Sequence, residues 1–248
     1  HGWTADRFLA AIEERLGSLL PRGVPEDAPD DAYRDHVGIH PQKAPGTCYV
    51  GVAVLRGRLS AEQMRVAAKL ADRYGTGALR TTSMQNLVIP NVPTGRAGAL
   101  VRELEAADFV LDASPFRRGT VACTGTEFCK LALEQRLPGF EQHLRINVTG
   151  CPNSCGQHWI ADLGLEGKKV KVDGALVDAY YFCVGGGVGR HQAVARPIGL
   201  RLPATAVAPA GARLLRTFLG ERRPNENFRQ FAARHTADQL PALPPGEP

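Results

Sequence analysis

Four of the chain's six cysteines stand in two short groups, Cys123 and Cys129 in ACTGTEFC, and Cys151 and Cys155 in TGCPNSC. Four deprotonated sulfurs converging from separate loops can hold a zinc ion or an iron–sulfur cube. Structural zinc sites favour tight Cys-x2-4-Cys knuckles, so the wider spacing of Cys123 and Cys129 suits a larger cluster better. In one continuous helix those two side chains would project in different directions, which predicts that Cys123 precedes a helix and Cys129 lies inside it. Thr124, Gly125 and Thr126 supply the loop and the N-cap. Cys151 and Cys155 are one helical turn apart, and Pro152 suits a first helical position. The bound object would then be held from two helix starts, where free N–H groups favour negative charge.

The elements that must carry these cysteines can be read along the chain. Trp3 to Leu20 sets Phe8, Ile12, Leu16 and Leu19 on one helical face, which predicts a buried stripe. Residues 21–35, rich in proline and acid, read as an extended linker. His36 and His40 flank a short apolar stretch, as metal ligands or as ordinary hydrogen-bonded loop residues. Cys48 to Leu55 is a valine-rich buried strand. A helix follows, opened by the Ser60/Gln63 capping box and closed at Gly75. Leu79 to Thr82 and Asn86 to Ile89 are strands, and Gly95 to Ala107 is a second helix. The order strand, helix, strand, strand, helix predicts a split βαβ layer of the ferredoxin-like kind.

From about Ser114 a second unit is expected. Thr120 to Cys123 is a strand, Glu127 to Leu137 a short helix, and Leu144 to Thr149 a strand entering the second cysteine pair. Ala161 to Val184 reads as strand, basic turn, strand, with Lys168, Lys169 and Lys171 in the turn, open to a protein donor or simply to water. Cys48 and Cys183 sit among apolar neighbours and read as core thiols. VGGGVGR at 184–190 lacks the register of a dinucleotide loop and allows close backbone approach. Pro203 to Leu240 is helical, with Leu214, Leu215 and Phe218 on one face, Phe228 and Phe231 on another, and Asn225 as an N-cap. The fold class is α+β: a ferredoxin-like layer followed by an α/β cluster-binding domain. The boundaries are 1–35 for the N-terminal helix and linker, 36–113, 114–240, and 241–248 for a disordered tail.

Composition restricts the function. The chain has 248 residues, 44% of them hydrophobic, enough for one large core or two modest ones. No apolar run approaches membrane-spanning length and nothing reads as a signal peptide, so a reducing, cytoplasmic setting is expected, with thiols free or metal-bound. The start at His1 fits a processed chain or a fragment. The net charge of +5 is mild. No basic cluster interleaved with aromatics points to nucleic acid.

ACTGTEFC followed by TGCPNSCGQ resembles the signature of the siroheme-dependent nitrite and sulfite reductases. HPQKAPGTCYVGVAVLRGRLS and LRTTSMQNLVIPNVP are similar to the ferredoxin-like segment that precedes the cluster domain there, and the likeness runs from about Asp35 to Gly189. It covers one half of the family enzyme, the C-terminal type. The resemblance implies a [4Fe-4S] cluster on Cys123, Cys129, Cys151 and Cys155, with Cys155 also the axial ligand of siroheme iron. It sets Arg80, Thr81, Thr82, Gln85, Asn86 and Thr124 beside the siroheme, and Thr149 and Asn153 near the sulfurs or siroheme. Arg117 and Arg118 can meet a carboxylate or face water. The segment between Cys129 and Cys151 is shorter than in the family by roughly four helical turns.

The function so implied is six-electron reduction of nitrite to ammonia with reduced ferredoxin or a similar donor. The alternatives are reduction of sulfite to sulfide, alone or as a subunit, and an iron–sulfur electron-transfer module without siroheme. The residues that cradle substrate come chiefly from the other half in the family, so a partner half or a second copy is expected.

Overall fold

Valine-rich and β-branched runs favour a pleated, half-buried surface, and Thr47–Val52 forms such a strand, β2, at the centre of the first sheet. A computed structural model describes residues 3–21, 35–114, 118–123, 136–137, 140, 142–189 and 192–242. The other strands of this sheet are β1 (Gly38–Pro41), β3 (Arg80–Thr81) and β4 (Leu87–Pro93), in the antiparallel order β1-β2-β4-β3. Helices α2 (Ala61–Tyr74) and α3 (Ala97–Ala106) follow β2 and β4 and close the first core over Val50, Leu70, Ile89, Leu100 and Leu104. The capping box at α2 is formed as expected. The Gln63 N–H donates to Ser60 Oγ at 3.1 Å, and the Ser60 N–H to Gln63 Oε1 at 3.0 Å.

The second sheet has the order β5-β6-β7-β8-β9, formed by Thr120–Ala122, Ile146–Thr149, Leu163–Val172, Ala175–Val184 and Arg196–Pro203. The first three strands run parallel and the last three antiparallel. Helix α4 (Ala204–Glu221) packs on β8 and β9. It buries Leu214, Leu215 and Phe218 with Phe182 and Ile198. The short α5 (Phe228–Ala233) adds Phe228 and Phe231, whose rings meet Phe218 edge-on, each with centroids 5.4 Å away.

Several expectations are corrected. Helix α1 spans Ala5–Leu16, but its apolar stripe is not buried within this chain: Phe8 is 59% exposed and Leu19 beyond it 81%. Strands β1 and β9 were not expected; each holds Pro or Gly among few apolar residues, which hides the alternation that marks a strand. The lysines of KKVKV lie on β7 rather than in a turn. The reversal is Asp173–Gly174, both with positive φ (49° and 82°), as a two-residue hairpin turn requires. The N-cap of α5 is Asn227, which forms a capping box with Gln230, while Asn225 takes a left-handed turn conformation at φ 61°. The expected helix over residues 127–137 falls largely outside the described residues, as do Arg117 and residues 243–248 of the tail; the tail's first two residues, 241 and 242, instead end a short helix, Gln239–Ala242. Among the described residues no helix is long and apolar enough to cross a membrane.

Candidate metal centre

Parallel strands deliver their C-terminal ends to one edge of a sheet. Strands β5 and β6 pair in parallel with Ala122 opposite Val148, and the Cys123 N–H continues the ladder to the Val148 carbonyl at 3.0 Å. Cys123 therefore leaves β5 at the edge where β6 runs out into Gly150 and Cys151. The Gly150 N–H donates to Cys123 Sγ at 3.1 Å, a backbone donor already aimed at a sulfur. Cys123 is half-buried, while Cys151 and Cys155 are exposed. Among the described residues no three His, Cys, Asp or Glu side chains form a closed ligand group. Cys129 and Thr124 lie outside the described residues.

Residues 151–157 are a series of turns, not the expected helix. Ser154 and Gln157 hold φ of 58° and 55°, left-handed values that interrupt any helix at the second cysteine pair, and a single 3-10 turn starts only at His158. The N–H groups of Ser154 and Gln157 donate to the carbonyls of Cys151 (3.3 Å) and Ser154 (2.7 Å). The buried Thr149 hydroxyl reaches the Cys151 carbonyl at 3.4 Å. Asn147, also buried, donates its amide to the Gln157 carbonyl at 2.9 Å. Glycine permits the close packing beneath. A Cβ on Gly156 would lie 2.4 Å from the Val148 carbonyl oxygen, and one on Gly167 2.4 Å from that of Gly150. Soft sulfur donors, an inward N–H and a tight polar turn fit an iron–sulfur cluster and its need for hydrogen bonds to sulfur.

The other two thiols differ. Cys48 and Cys183 are buried, and burial pushes the Cys183 thiol up to about 11 and raises Cys48 as well. Both stay protonated and inert, the core thiols expected.

Two family models match the chain: the nitrite/sulfite reductase ferredoxin-like half domain over residues 40–107, and the nitrite and sulphite reductase 4Fe-4S domain over 131–240. The chain belongs to the nitrite and sulfite reductase family. Among curated relatives of this family, the assimilatory ferredoxin-dependent nitrite reductase of Haloferax mediterranei is 38% identical, covering 83% of this chain and 38% of the relative. The ferredoxin–nitrite reductase of Synechococcus elongatus is 40% identical over 75% of this chain and 39% of its own length. The chain thus spans about two-fifths of these relatives. Among solved structures, the Mycobacterium tuberculosis NirA protein superposes with a TM-score of 0.82 at 30% identity, over 96% of this chain and 47% of NirA. Dissimilatory sulfite reductase I shares the fold, with a TM-score of 0.58 at 12% identity.

The residues that family likeness sets near siroheme fall into two groups. Arg80, Thr81 and Thr82 line an open cavity of about 380 Å³ with His36, Gln42 and Tyr49. Its wall is mixed, with Val88 and Pro90 beside these groups, and the Arg80 guanidinium and the hydroxyls suit carboxylates. Gln85 and Asn86 are instead committed to the protein. Asn86 is buried, donates to the Asp35 carbonyl at 3.2 Å and accepts from the Val54 N–H at 3.1 Å. Gln85 bridges the two sheets: its Nε2 donates to the Ala122 carbonyl at 2.6 Å, and its Oε1 accepts from the Ala122 N–H at 3.1 Å. Gln85→Ala is expected to cost about 1–3 kcal/mol, the desolvation penalty of orphaned buried amide groups. A urea midpoint that does not move would contradict that role.

Asn153 is exposed beside Cys151. Arg118 pairs with Asp35 at 3.2 Å. His36 bonds the Tyr49 hydroxyl at 2.9 Å and His40 the Val37 carbonyl at 2.8 Å, so both serve local structure. Lys168 pairs with Glu166 at 2.5 Å and Lys169 with Asp178 at 2.7 Å, leaving the exposed Lys171 of the three outside these ion pairs.

Sequence reasoning missed one group altogether. His158, fully buried, meets Ser154 Oγ with Nδ1 at 2.8 Å and Glu166 Oε2 with Nε2 at 3.1 Å. The available signal was an acid in the middle of the apolar strand ADLGLEG, since buried carboxylates need partners. Burial holds the His158 imidazole below its usual value, opposed by the Glu166 carboxylate. The unfolded chain therefore binds a proton near pH 6.5 that the folded chain refuses, and stability falls as pH drops below that point. The slope from this one residue is at most about 1.4 kcal/mol per pH unit. Urea midpoints measured across that range should fall less steeply in His158→Gln than in the parent.

Proposed function

We propose that this chain is the cluster-bearing half of an assimilatory siroheme reductase that converts nitrite to ammonia with electrons from reduced ferredoxin. The observation that carries the reading is the parallel pairing of β5 and β6, which brings Cys123 and Cys151 out at one sheet edge with the Gly150 N–H on the Cys123 sulfur. Cys123, Cys129, Cys151 and Cys155 would hold the [4Fe-4S] cluster, and Cys155 would also bind the siroheme iron. When bound, the cluster and siroheme would supply one-electron transfer and an iron site for the six-electron reduction in which nitrite and seven protons give ammonia and two waters.

The chain's own residues do the rest. The Gly150 N–H draws charge from the Cys123 sulfur and so favours the reduced cluster. The hydroxyl of Thr149 fixes the Cys151 carbonyl, and Asn153 stands exposed on the same turn. The Arg80 guanidinium, at the wall of the open cavity, would pair siroheme carboxylates. The remaining carboxylate and substrate contacts would come from the other half of the reductase or a second copy. A reducing compartment, the cytoplasm, is part of this reading, since the four ligand cysteines must stay out of disulfides.

The test is to purify the chain without oxygen, alone and with a candidate N-terminal half, and to measure iron, sulfide, siroheme and the visible spectrum, then ammonia formed from nitrite and sulfide formed from sulfite. A brown cluster spectrum with a Soret band and nitrite-dependent ammonia is the expected result. A colourless zinc protein overturns the proposal, and sulfide production in place of ammonia reassigns the substrate.

A further inference from the structure

The turn between Cys151 and Cys155 ends on a buried polar chain that the roles above leave unused. Ser154, between the two cysteines, meets His158 at 2.8 Å; His158 meets Glu166 at 3.1 Å; and Glu166 meets Lys168 at 2.5 Å through its other oxygen. Both ends of the chain meet the surface and its middle is buried: Ser154 is half-buried, His158 fully buried, the Glu166 side chain 9% exposed and that of Lys168 32%, so the chain runs from the exposed turn through the core to β7.

The proton positions follow from chemistry. An ionised Glu166 can only accept, so His158 donates from Nε2 and keeps Nδ1 free to accept the Ser154 hydroxyl proton. Stability alone does not call for this arrangement, because a buried carboxylate and imidazole cost more to desolvate than an apolar pair of the same volume. What the chain does accomplish is local. It anchors a serine held in a left-handed conformation, at φ 58°, where the turn passes between two thiols. The bed beneath is shaped for it: a Cβ on Gly164 would stand 2.3 Å from the His158 carbonyl oxygen, so only glycine lets the 3-10 turn lie this close to β7.

Resting on the function proposed above, we infer that Ser154, His158, Glu166 and Lys168 form a positioning chain that fixes the Cys151–Cys155 turn and sets the retention and reduction potential of its cluster. Ser154 is the anchor of the turn, His158 the rigid spacer, and Glu166 the charge that Lys168 balances. Removing the Glu166 charge makes an added electron easier to accept, and removing the Lys168 charge makes it harder.

Three variants of the anaerobically purified chain test this. Ser154→Ala should lose iron to a chelator faster, by roughly the 10- to 100-fold range of outer-shell losses, and should speed amide hydrogen exchange across residues 151–157. Glu166→Gln and Lys168→Met should shift the cluster midpoint potential, followed by electron paramagnetic resonance, in opposite directions: upward for the first, downward for the second. Lys169→Met, in the neighbouring exposed pair, is the control and should change neither. Shifts of the same sign, or none, overturn the tuning role. Unchanged exchange in Ser154→Ala overturns the anchoring role. A parent chain that holds no iron at all counts against the proposed function, and the exchange measurement still decides whether the turn is anchored this way.

Discussion

Replacing Cys155 by serine is expected to strip the chain of most of the iron and sulfide that the parent retains, with cluster affinity falling well beyond the roughly 10- to 100-fold cost of losing an outer-shell partner. The hydroxyl is a harder, less acidic donor, and it would replace the sulfur proposed to join cluster and siroheme. Cys183→Ser is the contrasting change. That thiol is buried and held protonated, so its loss should lower stability and leave iron content per folded chain as it was. Equal iron in Cys155→Ser and the parent would remove Cys155 from the ligand set. Iron retained without spectral coupling between cluster and siroheme would keep it as the bridge alone.

Gly167→Ala should be the most damaging single methyl group near the site. A Cβ there would stand 2.4 Å from the Gly150 carbonyl oxygen, 2.7 Å from its carbon and 2.9 Å from its Cα. All three are backbone atoms, so no side chain can swing aside. Overpacking of this kind costs about 1–3 kcal/mol, and a domain of this size loses about 2–4 °C of melting temperature for each kcal/mol. The strain falls on Gly150, whose N–H holds the Cys123 sulfur, so cluster retention should drop with the melting temperature. Gly220→Ala calibrates the result. It lies near the end of α4 with open space around its Cβ position, and the substitution should be neutral or stabilise by about 0.5–1 kcal/mol. A Gly167→Ala protein as stable as the parent would mean that β7 can move away from the cysteine turn.

The parts of this molecule that announce themselves in sequence are those where local chemistry and fold agree. The capping box at Ser60, the valine run of β2 and the aromatic face of Phe218, Phe228 and Phe231 are each decided by their own residues and neighbours. The motifs ACTGTEFC and TGCPNSCGQ likewise carried the resemblance to the family, while the cysteine spacing alone left zinc and an iron–sulfur cluster open. The conformation of the second cysteine pair did not follow from that spacing. A four-residue interval suits one helical turn, yet Ser154 and Gln157 take left-handed conformations because the buried His158, Asn147 and the glycines below draw the backbone into a tighter path. Those partners lie on β6, β7 and the 3-10 turn, so the cause is tertiary. The α1 stripe failed for a related reason: periodicity marks a face suited to burial, and what covers it is decided by other surfaces.

The Gln85 amide has a consequence for solubility. Strand β5 is three residues long and lies at the margin of its sheet, with the outward N–H and carbonyl of Ala122 next to the first cysteine. Such a margin invites a foreign strand to add on. One side chain, by mimicking a peptide group, closes that invitation at the position where an added strand would displace Cys123. The first sheet therefore acts as a guard against self-association of the second, and chains that lose it would be expected to aggregate through the edge that carries the thiols.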